Sequence, residues 1–416
     1  MVKLAILGAG GRGRTYAQYV LDNPTEAKIV AVAEPNEYCR SLIAKQHDIP
    51  SDMLFDTWEE VLDQPKFCDA VMICTQDRMH YEPAMRALEL GYDILLEKPI
   101  SPDLQECINI AKLAEAKGRI VSVCHVLRYT SFFRKIKELL DSGIIGKLIS
   151  IQHNENVGFW HQAHSFVRGN WRNSIESAPM ILAKSCHDMD IMYWLTGAES
   201  ARLSSFGNLT HFKSENAPIG SPKRCIDGCP HKDECPFNAP RQYLTQFLKG
   251  EKTWPVGAIT TDLTVDGVTQ ALKTGPYGRC VYQCDNDVVD HQVVNIEFQN
   301  GVTAVFTMCA FTNDCSRTIK LMGTRGKIGG AMHKNIIEIT DFMSGDITKI
   351  HINADAGNHN GGDPAYMKDF IKSLTDRNNL TSIKNSLHSH IMAFAAEKAR
   401  VEGKVINLTE EFSFQR

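Results

Sequence analysis

A strand that runs straight into a glycine-rich loop constrains this chain more than any other feature. Residues 3–7 (Lys-Leu-Ala-Ile-Leu) read as a short buried strand, and Gly8-Ala9-Gly10-Gly11-Arg12-Gly13 follows at once. A helical pattern carrying Tyr16, Tyr19, Val20 and Leu21 comes next. The string G-x-G-x-x-G says little alone, but between a strand and a helix it reads as a dinucleotide-binding loop. Gly8 permits the tight turn, Gly10 lets a pyrophosphate approach the backbone, and Gly13 lets helix and strand pack closely. Gly11 and Arg12 open the helix, whose first amides face the phosphates.

The second strand, Ile29 to Ala33, ends in Glu34, at the distance expected for an acid that binds the adenosine ribose hydroxyls. A carboxylate there repels a 2′-phosphate, so NAD is favoured over NADP. Arg40, one helical turn on, leaves NADP open. The alternation continues through a strand at Asp69–Cys74, the turn at Thr75, a helix carrying His80, and a strand ending Ile94-Leu95-Leu96-Glu97-Lys98-Pro99. Strands alternating with helices at this spacing predict a parallel sheet covered on both faces. Ligands bind beyond the C-terminal tips of such strands, which is where Lys98 falls. The spacing predicts a Rossmann domain over residues 1–126 and a second α/β domain over 127–416.

Charge and composition narrow the function. The formal net charge is −4, which gives no electrostatic reason to expect nucleic acid. No apolar run reaches the roughly 20 residues of a membrane span. The first apolar stretch is too short for a secretory signal. Thirteen cysteines, an odd number, predict cytoplasmic thiols rather than a disulfide framework.

The second domain differs in character. Phe159 to Arg172 reads as a loop dense in rings and guanidinium groups, with Trp160, His161, His164, Arg168, Trp171 and Arg172. A polyol needs donors, acceptors and flat apolar faces, so Trp160, His164, Arg168 and Arg172 are substrate candidates. Pro179 to Leu195 reads as one mostly apolar helix carrying Lys184, His187, Asp188 and Asp190. Its spacing puts Asp190 within reach of His187, and Lys184 and Asp190 join the substrate candidates. Residues 214–285 read as an insertion. Cys225, Cys229 and Cys235 fit a structural zinc site, with His231, Cys280 or Cys284 as the fourth ligand. From Val288 onward, strand-like runs separated by turns predict an open, mainly antiparallel sheet. The polar turn at 357–363 offers His359 and Asp363 to a ligand.

Taken together, these motifs resemble the glucose-fructose oxidoreductase, inositol dehydrogenase and rhizopine-catabolism (Gfo/Idh/MocA) family. The matching residues are Gly8–Gly13, Glu34, Thr75 with His80, Glu97-Lys98-Pro99, Arg128-Tyr129, the helix bearing His187 and Asp190, and Gly323-Thr324 in the late sheet. The resemblance implies a Rossmann domain followed by an α/β domain whose open sheet forms dimer contacts. It implies catalytic roles for Lys98 and His187, and cofactor contacts at Gly8, Gly10, Gly11, Arg12, Gly13, Glu34, Thr75, His80, Glu97 and Lys98. One position departs: family members often carry an aspartate four residues before the histidine, and here Ala183 stands there, followed by Lys184. The long cysteine-bearing insertion is also outside the common core.

The expected activity is NAD-dependent oxidation of a secondary alcohol on a sugar, polyol or glycoside, in a cytoplasmic homo-oligomer, dimer or tetramer. A rival keeps NAD as a resident redox catalyst of net glycoside hydrolysis through a keto-sugar. A third reading is a dinucleotide-sensing protein without turnover.

Overall fold

The computed structural model describes residues 1–353 and 361–412. His359 therefore lies outside the described residues. Six strands form the first sheet: β1 (Val2–Leu7), β2 (Ala27–Ala33), β3 (Leu54–Phe55), β4 (Ala70–Ile73), β5 (Asp93–Leu96) and β6 (Val121–Val123). They lie in the order β3-β2-β1-β4-β5-β6, and every pair is parallel. Residues of β4 and β5 are buried throughout, as a sheet covered on both faces requires. The strand order reverses between β1 and β4, which opens a crevice at their C-terminal ends.

The second sheet has nine strands: β7 (Leu148–Asn156), β8 (Ser200–Asn208), β9 (His291–Phe298), β10 (Thr303–Cys309), β11 (Ser316–Gly323), β12 (Gly326–Ala331), β13 (Ile336–Asp341), β14 (Ile347–His351) and β15 (Ile406–Asn407). Their order is β14-β13-β12-β11-β7-β10-β9-β8-β15. Only β7 and β10 run parallel; the other pairs are antiparallel. Ala304, Phe306 and Met308 on β10 and Gln292, Val294, Ile296 and Phe298 on β9 alternate into the core. Helices Ser131–Asp141, Cys186–Thr196 and Ile383–Glu402 contribute to that core. Helix Gly362–Asp376 returns to the first sheet, where Tyr366, Met367 and Phe370 join its core.

Two local readings are corrected. The segment 159–172 is not a loop. It forms a helical turn, Phe159–His161, and then a wider π-helical turn, Gln162–Arg168, all of whose residues are buried. Ala163, Phe166 and Val167 carry a helical spacing, and Ala163 and Val167 pack on Phe212 and Phe237. The helix expected from Pro179 is two, Met180–Ala183 and Cys186–Thr196, broken at Lys184-Ser185. The second ends at Gly197 in the left-handed region, φ +63°, where glycine has no steric cost.

Candidate active site

The loop after β1 shows why two of its glycines are needed. Gly8 has φ +94°, and a Cβ there would stand 2.7 Å from the Cys74 carbonyl oxygen. A Cβ on Gly13 would stand 2.2 Å from the Gly8 carbonyl oxygen. At Gly10 and Gly11 a Cβ would meet nothing within 4 Å. The space beside the backbone at those two positions is open, which leaves room for a ligand to lie against it. Gly10 caps the helix without any side-chain bond, and no acidic residue sits in its first turn. Its first amides thus remain for an anion. Glu34 accepts from the Ala9 amide at 2.8 Å and from the Asn36 amide at 3.0 Å. Its carboxylate is thereby fixed beside the loop. This cradle fits a dinucleotide.

Four of the residues expected to touch the cofactor have side chains bonded to one another or to backbone in this structure. Arg12 donates to Glu97 at 2.6 Å, to Asp363 at 2.6 and 3.3 Å, and to the Tyr16 hydroxyl. Tyr16 also donates to Glu97 at 2.6 Å. Burial would raise the Glu97 carboxyl, but Arg12, Lys98 and the Tyr16 hydroxyl outweigh it and hold it below the ordinary range. His80 is fully buried, with its ring nitrogens 2.8 Å from the Pro99 carbonyl and 3.2 Å from that of Thr75. It clamps the turns after β4 and β5. The Thr75 hydroxyl donates to Met79 at 2.9 Å.

Lys98 follows β5 and reaches the second domain. Its Nζ donates to the carbonyl of Ala183 at 2.7 Å. Helix Met180–Ala183 ends at that residue, so the carbonyl is a C-terminal one with room for an outside donor. His187 lies one turn on, 4% exposed. The ring of His125 meets it edge-on at 5.8 Å between centroids. Lys98 and His187 thus converge on the same break between helices.

Asp190 is paired with Arg128. It is fully buried and takes two bonds from Arg128, at 2.6 and 2.7 Å. Arg128 also donates to the carbonyls of Leu380 and Asn385. Arg168 is fully buried and committed to the carbonyls of Arg279 (2.8 Å) and Phe237 (2.6 Å) and to the Gln242 side chain (3.1 Å). Arg172 pairs with Asp285 and Glu176. His164 shares a 2.9 Å bond between Nδ1 and the Tyr243 hydroxyl and stacks on Tyr277. In this structure all four are engaged with other groups of the protein.

Two further substrate candidates are Trp160, which packs on Trp254 at 5.3 Å between ring centroids, and Lys184, which follows the Ala183 carbonyl that Lys98 binds. Lys184 Nζ stands 3.4 Å from Glu155. Glu155 pairs with Arg317, which also binds Asp188 at 2.7 and 3.1 Å. His153 Nε2 stands 2.7 Å from Asp188. Burial works to raise the Asp188 carboxyl, but Arg317 and His153 hold it well below the ordinary range. Sequence reasoning missed this buried cluster. One signal was available: Ile151, His153 and Glu155 share the inward phase of β7.

The zinc expectation is not supported. Among the described residues no group of three or more His, Cys, Asp or Glu side chains is gathered to hold a metal ion. Cys235 packs with Phe212 and Phe237, and Cys225 with a separate cluster around Tyr243 and Leu272. The Cys225 sulfur stands 3.7 Å from Arg168 Nη2.

The profile of the oxidoreductase family's NAD-binding Rossmann fold (GFO_IDH_MocA) matches residues 2–125. The profile of the family's C-terminal alpha/beta domain matches residues 137–408. The chain belongs to the Gfo/Idh/MocA oxidoreductase family. Bacillus subtilis (strain 168) YteT, named as an oxidoreductase, is 24% identical over 404 residues, 92% of this chain and 91% of that one. The scyllo-inositol 2-dehydrogenase (NAD(+)) of the same strain is 27% identical over 216 residues, 50% of this chain and 58% of that one. The 2,7-anhydro-N-acetylneuraminate hydratase of Mediterraneibacter gnavus is 27% identical over 211 residues, 50% of this chain and 54% of that one. The match thus spans little more than half the length of the last two relatives. A levoglucosan dehydrogenase structure in complex with NADH and levoglucosan shares the fold, with a TM-score of 0.71, 16% identity, and coverage of 98% of this chain and 100% of that one.

Proposed function

We propose that this Gfo/Idh/MocA oxidoreductase oxidises a secondary alcohol of a sugar, polyol or glycoside with NAD. The observation that carries the reading is the meeting of Lys98, from the tip of β5, with the Ala183 carbonyl one helical turn before His187. That contact joins the dinucleotide cradle to the second domain. Gly8, Gly10, Gly11 and Gly13 shape the cradle, Glu34 takes the ribose hydroxyls, and Thr75 lines the loop after β4. Arg12, Glu97 and His80 brace these loops from behind.

His187 takes the hydroxyl proton as general base, and returns it in the reverse direction. Lys98 stabilises the developing alkoxide, with its ammonium oriented by the Ala183 carbonyl. The nicotinamide, when bound, supplies the hydride chemistry. Trp160 offers an apolar face and Lys184 a donor to the remaining hydroxyls. The thirteen cysteines are all free thiols, which supports a cytoplasmic setting. Among the described residues no helix is long and apolar enough to cross a membrane. The outward face of the second sheet carries an exposed Phe206, which supports assembly into a homo-oligomer, a dimer or a tetramer.

The hydratase relative favours a second reading, in which NAD stays bound and the net reaction is redox-neutral. The test is nicotinamide absorbance with a panel of sugars, inositols and glycosides in excess NAD. The dehydrogenase accumulates NADH in proportion to product. Water addition or aglycone release without NADH selects the second reading. Cofactor binding with no turnover on any probe selects a dinucleotide sensor.

A further inference from the structure

Of the five tryptophans, Trp254 alone is exposed, at 48%. It belongs to the insertion, outside the part of the chain that supplies Lys98 and His187. Three rings pack on it: His161 at 4.9 Å, His164 at 5.2 Å and Trp160 at 5.3 Å between centroids. Those neighbours fix the indole in place, so an outside ligand meets a rigid aromatic surface. The hold is itself anchored, because Gln242 of the insertion donates to the Trp160 carbonyl at 2.7 Å and Arg168 binds insertion carbonyls on the far side.

A run of contacts connects this surface to the reacting groups. Lys98 binds the Ala183 carbonyl, and Lys184 follows in sequence and faces Glu155. Glu155 pairs with Arg317, two residues after Cys315. Cys315 is an exposed residue whose thiol donates to the Val157 carbonyl at 2.7 Å and stands 3.5 Å from His161 Nδ1. His161 then meets Trp254. Burial first, then the nearby Lys184 and His164, keep the His161 imidazole neutral, so it presents a ring rather than a second cation. The run of contacts ends on an exposed indole with the His161 imidazole packed against it.

We propose that Trp254 is a binding platform for a second pyranose ring, the glycosidic substituent of the substrate whose reacting ring lies at Lys98 and His187. A pyranose has an apolar C–H face that suits an exposed indole and hydroxyls at its rim that suit the polar groups around it. The proposal rests on the dehydrogenase reading for its reacting ring and adds the substrate class: a glycoside rather than a free monosaccharide.

The test uses the full chain loaded with NADH and measures binding by calorimetry. The probes are glucose, galactose and N-acetylglucosamine against cellobiose, lactose and chitobiose. At least one disaccharide should bind about tenfold more tightly than its monosaccharide, the size of one good aromatic contact. Trp254→Ala should remove that advantage and change monosaccharide affinity by less than threefold. Trp254→Phe should restore most of it. No disaccharide advantage in the parent protein overturns the platform, as does an equal loss for both ligands in Trp254→Ala. A change of oligomeric state in Trp254→Ala, seen by sedimentation, also overturns it and gives the indole to a contact between copies. NADH formation is followed separately. A disaccharide that binds through Trp254 but yields no NADH keeps the platform and fails the dehydrogenase. NADH formation with no disaccharide advantage does the reverse.

Discussion

Replacing Asp190 separates two roles that a carboxylate three residues after His187 can have. As a substrate ligand, its loss raises KM and leaves the fold alone. The structure argues for the other role. Asp190 is fully buried, and Arg128, 3% exposed, gives it two charge-assisted bonds at 2.6 and 2.7 Å. Removing one partner of such a pair leaves a buried charge uncompensated, which costs about 3–5 kcal/mol. Arg128 also ties the carbonyls of Leu380 and Asn385, so the disturbance spreads to the segment before the last long helix.

Asp190→Ala should therefore lower the melting temperature by roughly 6–20 °C, taking 2–4 °C per kcal/mol for a domain of this size. Asp190→Asn keeps the shape and one acceptor, and should lose about half as much, near the value of a single charged hydrogen bond, about 1.5–3 kcal/mol. Differential scanning fluorimetry at pH 7 with saturating NAD and without it reads the stability. Steady-state rates at 20 °C read the function, and KM should stay within about threefold for any substrate found. A melting temperature within 2 °C of the parent, together with a KM raised tenfold or more, would refute the structural assignment and return Asp190 to the substrate.

The other predictions concern chemistry, cofactor and pH. Lys98→Ala and His187→Ala should keep NAD affinity within a few-fold and lose about 10²-fold or more in turnover, the usual size of an acid–base contribution; loss of NAD affinity with intact turnover per bound cofactor would contradict it. NAD should bind more tightly than NADP, because the Glu34 carboxylate is fixed beside the glycine loop and would repel a 2′-phosphate, while Arg40 is held by Asp56 and the Glu34 carbonyl; titration of both cofactors decides it, and equal or tighter NADP binding would overturn it. Burial, then Arg168, lowers His164 to about 3, and burial, then His125, does the same to His390. The unfolded chain takes up protons there below about 6.5, the folded one only near 3, so stability falls as pH drops through that window. Each histidine contributes roughly 1.4 kcal/mol per pH unit, and a melting temperature that stays flat from pH 6.5 to 4.5 would contradict it.

The Rossmann half was legible because its signals are local. Short apolar runs are strands buried on both faces, and Gly8 and Gly13 are demanded by backbone contacts within their own unit. The second half depends on pairings that no local pattern shows. Arg317 stands directly opposite Glu155 across β11 and β7, a register visible only once the sheet is assembled. Lys184 sat inside an apolar run that read as unbroken helix, whereas the chain breaks there and turns its ammonium toward Glu155. The guanidinium groups of Arg168 and Arg172 looked like ligand-binding groups because their partners, in the insertion, lay about a hundred residues away. Residue type was informative at 159–172, but its role was not: most of those polar groups fasten the insertion to the domain.

The departure at position 183 acquires a physical meaning from Lys98. Its ammonium donates to a neutral carbonyl there, and Ala183 offers no side-chain carboxylate. The nearest acid in sequence, Glu97, is spent on Arg12 and Tyr16. The next acids on the other side, Glu155 and Asp188, are held by Arg317, with Lys184 and His153 beside them. The Lys98 ammonium is therefore oriented by a neutral carbonyl, while its charge also acts on Glu97. An aspartate at 183 would set a carboxylate beside that ammonium and weaken its attraction for a developing alkoxide. In the proposed reaction the carbonyl supplies direction, and the ammonium meets the developing alkoxide. In the proposed reaction, proton removal falls to His187 without a carboxylate four residues behind it. Its orientation depends on the buried imidazole of His125 and on the helix that Asp190 and Arg128 hold in place.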